Sequence, residues 1–122
     1  MISINYRDPR PIYEQVKESL RRLIVTGALP PREKLPSVRE LASSLAINPN
    51  TIQRAYRELE AEGVVFSVPG KGSFASDDLS PQKAAVEALF TELEAVAAKL
   101  REAGISAEEI RARITQGGAT HD

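Results

Sequence analysis

Two amphipathic stretches stand three residues apart in the middle of the chain, and that separation most constrains what it can fold into. In "SVRELASSLAINPNTIQRAYRELEAEG", residues 37–63, Val38, Leu41, Ala42 and Leu45 form one apolar face of a short helix. Ile52, Ala55, Tyr56 and Leu59 then recur at i, i+3, i+4 and i+7 in the next. Ser37 predicts an N-cap for the first helix, and Glu40 three residues on completes a capping box. Asn48 caps the second through its side-chain oxygen, and Pro49 suits the first helical position, where its missing amide costs nothing. Gly63 ends the run. Only Ala46 and Ile47, with the cap Asn48, join the two helices, which is a helix-turn-helix connection.

The flanking segments complete a small helical domain. After Pro11, residues Ile12, Val16, Leu20, Leu23 and Ile24 fall at helical spacing. Gly27 and the proline-rich "ALPPREKLP" (28–36) stop that helix, because proline lacks an amide donor. Beyond the third helix, "VVFSVPGKGSFA" (64–75) changes to strand composition. Its two runs of β-branched and aromatic residues flank Pro69-Gly70-Lys71-Gly72 and predict a hairpin, with an irregular loop as the alternative. Pro81 opens a long helix to about Ala103, closed by Gly104, and Ser106 with Glu109 caps a last short helix ending near Gln116. The end, "GGATHD", is expected to be disordered. The expected architecture is mainly α with a small β-hairpin: a winged helix-turn-helix DNA-binding domain over residues 1–76, then a short two-helix dimerisation tail over 77–122.

Opposite the apolar stripe of the third helix lie Asn50, Thr51, Gln53, Arg54 and Arg57. These residue types bond base edges and phosphates: Arg54 suits guanine bidentately, and Gln53 or Asn50 suits adenine. Unpaired amides at the helix N-terminus would favour a phosphate. Any surface helix needs a polar face, so the face alone decides nothing. Three short helices, a tight turn before the third and a hairpin with Lys71 at its tip together point to DNA. Net charge is -1, but residues 1–76 carry 11 basic and 8 acidic side chains, and residues 77–122 carry 5 and 9. A basic half joined to an acidic half directs the first toward a polyanion.

The stretch "LPSVRELASSLAINPNTIQRAYRELEAEG" (35–63), followed by "VVFSVPGKGSF", resembles the DNA-binding domain of the GntR family of bacterial repressors. "PIYEQV" (11–16) is similar to the first-helix signature of the YtrA branch, and the likeness covers about residues 6–76. The resemblance implies that Arg39 of "VREL" and the third helix contact operator DNA. Ser37, Asn50, Thr51 and Arg54 would act from the helices, and Lys71 and Gly72 from the wing in the minor groove. Many relatives place arginines early in the third helix, where this chain has Pro49 and Gln53, which alters the expected operator consensus rather than DNA binding. Most also carry a large effector domain or an aminotransferase-like domain. Two helices are not expected to enclose the ~300 Å³ of a small-molecule site, so no effector domain is evident. A short tail resembles the YtrA branch, whose tails dimerise and whose members often repress a neighbouring transporter operon.

The tail carries its own pattern. Val86, Leu89, Leu93, Val96, Leu100 and Ala103 follow a 3-4-3-4-3 spacing, a heptad-like seam that Phe90 and Ala97 widen. Ile105, Ile110 and Ile114 of the last helix extend it. The expected partners are therefore a second copy and a palindromic operator; a helix packed back on its own domain is the alternative.

Other classes find little support. The single histidine, His121, lies in the terminal tail and offers no scaffold for a triad, and "PGKGS" misses the spacing of a phosphate loop. The pairs Asp77-Asp78 and Glu108-Glu109 read as solvated surface, and with no cysteine neither a transition-metal site nor a cofactor is expected. No apolar run approaches the ~18 residues of a membrane span, and "MISINYRDPRPIYEQ" lacks the features of a signal peptide, which favours the cytoplasm. The alternatives are an effector- or metal-responsive regulator with its ligand site at the dimer interface, and a winged helix used for protein contacts.

Overall fold

The computed structural model describes residues 2–119, so His121 and the last part of the expected disordered tail lie outside the described residues. Five helices and one hairpin follow in order: α1 (Ile12–Val25), α2 (Val38–Leu45), α3 (Pro49–Ala61), β1 (Val65–Val68), β2 (Gly72–Ala75), α4 (Ser80–Glu102) and α5 (Ala107–Ala119). They form two compact units, Met1–Gln82 and Lys83–Asp122. α5 continues through Gly117 and Gly118, where disorder was expected; glycine lowers helix propensity without forbidding a helix.

In the first unit, the three apolar stripes meet in one core. Val16, Leu20 and Ile24 come from α1, Leu41 and Ala42 from α2, and Ile52, Ala55, Tyr56 and Leu59 from α3, all buried. Each large side chain removed from water there contributes about 1.5–3 kcal/mol before entropic costs. Local chemistry sets the helix ends. Ser37 Oγ accepts from the Glu40 amide at 3.0 Å while Glu40 Oε1 accepts from the Ser37 amide at 2.9 Å, which closes the capping box. α2 ends at Ala46, which sits in the left-handed region at φ 55°, and three residues later α3 begins. Gly63, at φ 79°, closes α3 and turns the chain into the hairpin.

The hairpin is antiparallel, pairing Val65 with Ala75, Phe66 with Phe74, Ser67 with Ser73 and Val68 with Gly72. Phe66 and Phe74 stack with ring centroids 5.5 Å apart. The proline-rich connection does more than break a helix. Leu35 N donates to Ser73 O, Arg32 N to Ala75 O and Ala75 N to Glu33 O, each at 2.8 Å, so residues 32–35 run along the outer edge of β2. Flanking prolines are compatible with such an edge position.

An N-terminal strap completes this unit. Ile2 and Ile4 pack on the core, and the buried Gln15 amide ties the strap down. Its Oε1 accepts from Asn5 N at 2.9 Å, and its Nε2 donates to Asn5 O at 3.0 Å and Arg10 O at 3.2 Å. Residues 77–82 belong here too: Leu79 packs on the core and Gln82 Nε2 donates to Glu62 O at 2.6 Å.

In the second unit, the apolar residues of α4 stay in solvent. Val86, Leu89, Phe90, Leu93, Val96 and Leu100 range from 39% (Leu100) to 63% (Leu89) exposed. Leu93, Val96, Leu100, Ile105, Ile110 and Ile114 line a groove of about 330 Å³, a volume not expected of two helices. The groove forms because α5 lines one side of the α4 stripe without covering it.

Candidate nucleic-acid interface

α3 presents Asn50, Gln53, Arg54 and Arg57 at i, i+3, i+4 and i+7, so successive helical turns place them on one stripe. All four are exposed, and Thr51 is half-buried beside them. Ser37 and Arg39 stand exposed at the start of α2, Lys71 in the hairpin turn and Gly72 at the start of β2.

The N-terminus of α3 differs from expectation. Its first amides are already satisfied: Asn50 N donates to Asn48 Oδ1 at 2.8 Å, and Thr51 N to Asn48 O at 3.0 Å. The side chain of Asn48 and its backbone carbonyl thus each take one of the donors a phosphate would take. The Ser37 oxygen likewise accepts in its capping box, which leaves the O–H free to donate.

Charge is sorted between the two sides of α3. Toward α1, Lys17 Nζ lies 2.8 Å from Glu58 Oε1 and 3.2 Å from Glu62 Oε2, and Arg21 Nη2 lies 2.6 Å from Glu62 Oε1. Hydrogen bonds from Lys17 and then Arg54 hold the Glu58 carboxyl below the usual carboxylate range. Burial pushes the Glu62 carboxyl up, but hydrogen bonds from Arg21 and Lys17 outweigh it and leave that group low as well. Glu58 and Glu62 are thus paired within the fold, whereas the exposed Glu60 accepts a hydrogen bond from the Ser67 hydroxyl and forms no ion pair among the described residues. Arg39, Arg57 and Lys71 form no ion pair among the described residues. The bulk charge misses this sorting. Asp77 and Asp78 fall inside the first unit, leaving it 11 basic against 10 acidic side chains.

Arg54 is engaged in a way the sequence did not indicate. Its Cζ lies 3.7 Å from the centroid of the Tyr13 ring on α1, and its Nε donates to Glu58 Oε2 at 3.2 Å. The arginine therefore leans toward α1 rather than standing clear on the far side of α3.

Gly72 has a specific reason to be glycine. Its φ is +120°, and a Cβ there would come within 2.9 Å of Lys34 Cε. Lys34, on the strand-like edge beside β2, thus passes across the wing and brings a second lysine to it. Sequence reasoning missed Lys34 because the prolines around it hid the strand pairing.

The match to bacterial regulatory proteins of the gntR family spans residues 12–74, from the start of α1 to the end of the wing. The chain belongs to the GntR family. Within it, the chain is 45% identical over 78 residues to the HTH-type transcriptional repressor YtrA of Bacillus subtilis, covering 64% of this chain and 60% of that one. An HTH-type transcriptional regulator of the same organism, YhcF, is 36% identical over 117 residues, covering 93% and 97%. A crystal structure of AraR(DBD) in complex with operator ORE1 superposes with a TM-score of 0.54 at 30% identity, covering 62% and 93%. The part shared with that DNA complex has the size of this GntR chain's first unit.

Proposed function

We propose that this GntR-family DNA-binding transcription regulator is a cytoplasmic homodimeric repressor of a palindromic operator. Each α3 lies in a major groove, each wing in the adjacent minor groove, and residues 83–122 join the two copies. The α3 stripe carries the reading. Asn50, Gln53, Arg54 and Arg57 stand together on the exposed stripe of α3, opposite its buried apolar face, while Arg39 and Lys71 bring unpaired cations from α2 and the wing. Specificity then comes from the α3 side chains and general affinity from the cations. Binding would be tested by selecting duplexes from random DNA and titrating the consensus by fluorescence anisotropy. A chain that binds the selected duplex no better than random DNA would refute specific recognition.

The exposed apolar stripe of α4 supports the dimer, because a surface row of six large apolar residues marks an interaction face. A two-fold dimer places two α3 helices on half-sites about one helical turn apart. Leu93→Asp with Leu100→Asp should give a monomer that binds the operator far more weakly, since the second half-site loses its high effective concentration. Sedimentation equilibrium at tens of micromolar decides this: a wild-type chain that stays monomeric refutes the dimer. A second reading rests on the 330 Å³ groove, which is within the range of small-ligand sites and would make the tail effector-responsive. An apolar compound that binds the full chain and shifts its operator affinity would favour that reading.

A further inference from the structure

The contact between Tyr13 and Arg54 is one rung of a ladder. Tyr13, Lys17 and Arg21 follow one another at i, i+4 and i+8 on α1, and Arg54, Glu58 and Glu62 do the same on α3. Each rung joins residues 41 apart: the tyrosine ring under Arg54, Lys17 to Glu58 and Arg21 to Glu62. The lower rungs are ion pairs internal to the fold. The top rung ends in a side chain that is itself 54% exposed and belongs to the DNA-facing stripe.

We infer that Tyr13 is a positioning residue for operator reading, holding the Arg54 guanidinium in place so that its terminal nitrogens meet a base edge. This rests on the α3 docking proposed above. The Arg54 Cζ sits over the Tyr13 ring, 3.7 Å from its centroid, and Glu58, itself anchored by Lys17 at 2.8 Å, accepts a hydrogen bond from Nε at 3.2 Å. Among the described residues no hydrogen bond engages Nη1 or Nη2. Those nitrogens carry the fork that pairs with guanine. An arginine already stacked has less rotamer freedom to lose on binding, so the tyrosine acts on affinity and base choice without touching DNA.

The test uses the full chain and the duplex that the wild-type protein selects from random DNA, with every single-base variant of it. Tyr13→Leu and Tyr13→Met keep apolar volume and remove the aromatic face, whereas Tyr13→Phe keeps the face and removes the hydroxyl. Tyr13→Leu and Tyr13→Met should weaken operator binding about three- to tenfold. Both should flatten base preference at the same position as Arg54→Ala, add nothing in an Arg54→Ala background, and leave binding to random duplex unchanged. Tyr13→Phe should match wild type. Wild-type base preference in Tyr13→Leu and Tyr13→Met, alongside its loss in Arg54→Ala, overturns the positioning role and leaves the docking intact. Loss of binding to every duplex in Tyr13→Phe overturns it in favour of a hydroxyl–phosphate contact. An Arg54→Ala chain with unchanged base preference overturns the base-reading role of Arg54 and the tyrosine's role with it.

Discussion

Tyr56 offers the sharpest check on how the helix-turn-helix is held. Its ring is only 6% exposed, and its hydroxyl donates to Pro36 O at 2.7 Å, tying α3 to the turn that precedes Ser37. Tyr56→Phe leaves that carbonyl without its partner and should cost about 1 kcal/mol at pH 8. That is a fall in melting temperature of roughly 4–8 °C for a unit of this size. Burial, with a smaller contribution from the Glu40 carboxylate, pushes the phenol from its ordinary 10.0 up to about 12. A pKa raised by folding means that the protonated form is the one the fold favours. The stability is therefore fully present below pH 10 and is lost as pH rises through the window from 10 to about 12. At about 1.4 kcal/mol per pH unit, the wild-type chain should lose roughly 2–3 kcal/mol across that window through this one group. The phenylalanine variant has no such group. Urea unfolding at intervals from pH 8 to 12 should show the variant less stable at the start and more stable at the end. Two parallel curves, with no crossing, would mean that the Tyr56 phenol does not titrate with folding.

Acid should weaken the α1–α3 contact: Glu58 and Glu62 have folded pKa values below their ordinary 4.5, so their stabilisation is present above that pH and lost as pH falls below it. Lys17→Met should flatten the acid limb of a urea-stability profile. Arg39→Ala and Lys71→Ala should each weaken binding to all duplexes and reduce the slope of log affinity against log salt by about 0.9, measured by anisotropy over a salt series. Gly72→Ala places a side chain at φ +120°, so it should cost roughly 1–3 kcal/mol in thermal unfolding through backbone strain and push the flexible Lys34 side chain aside.

What the sequence reveals here is what its neighbours along the chain decide. The Ser37–Glu40 box, the Asn48-Pro49 start of α3 and the stop at Gly63 depend on residues within four positions, and each forms as its pattern implies. The apolar stripes of α1, α2 and α3 were legible for the same reason, since burial follows the helical period. Contacts between distant segments were not. The edge pairing of residues 32–35 with β2 lies some forty positions apart in the chain and is hidden among prolines. The groove between α4 and α5 depends on how two helices lie together, which periodicity on each alone does not state. Within the candidate site, the α3 stripe and the capping roles of Ser37 and Asn48 were readable, whereas the seating of Arg54 over the Tyr13 ring of a different helix was not.

The ladder shows why overall charge is a poor guide to a DNA-binding face. A recognition helix needs acids somewhere to remain soluble and to avoid self-repulsion, yet every acid facing DNA opposes binding. α3 and its C-cap resolve part of this by spacing: Glu58 and Glu62 fall on the side turned to α1, where Lys17 and Arg21 cancel them at hydrogen-bonding distance, while Glu60 is held by the Ser67 hydroxyl. The four charges leave the sum unchanged while removing negative potential from the other stripe. The top rung follows the same logic with a different residue. A third cation opposite Arg54 would repel it, and an acid there would add a second carboxylate to the ion pair that Arg54 already makes with Glu58 at 3.2 Å, drawing its remaining charge away from the groove. An aromatic ring attracts the cation through its face while carrying no charge of its own. Tyr13 is therefore the residue type that can hold Arg54 in place and still leave its charge directed outward.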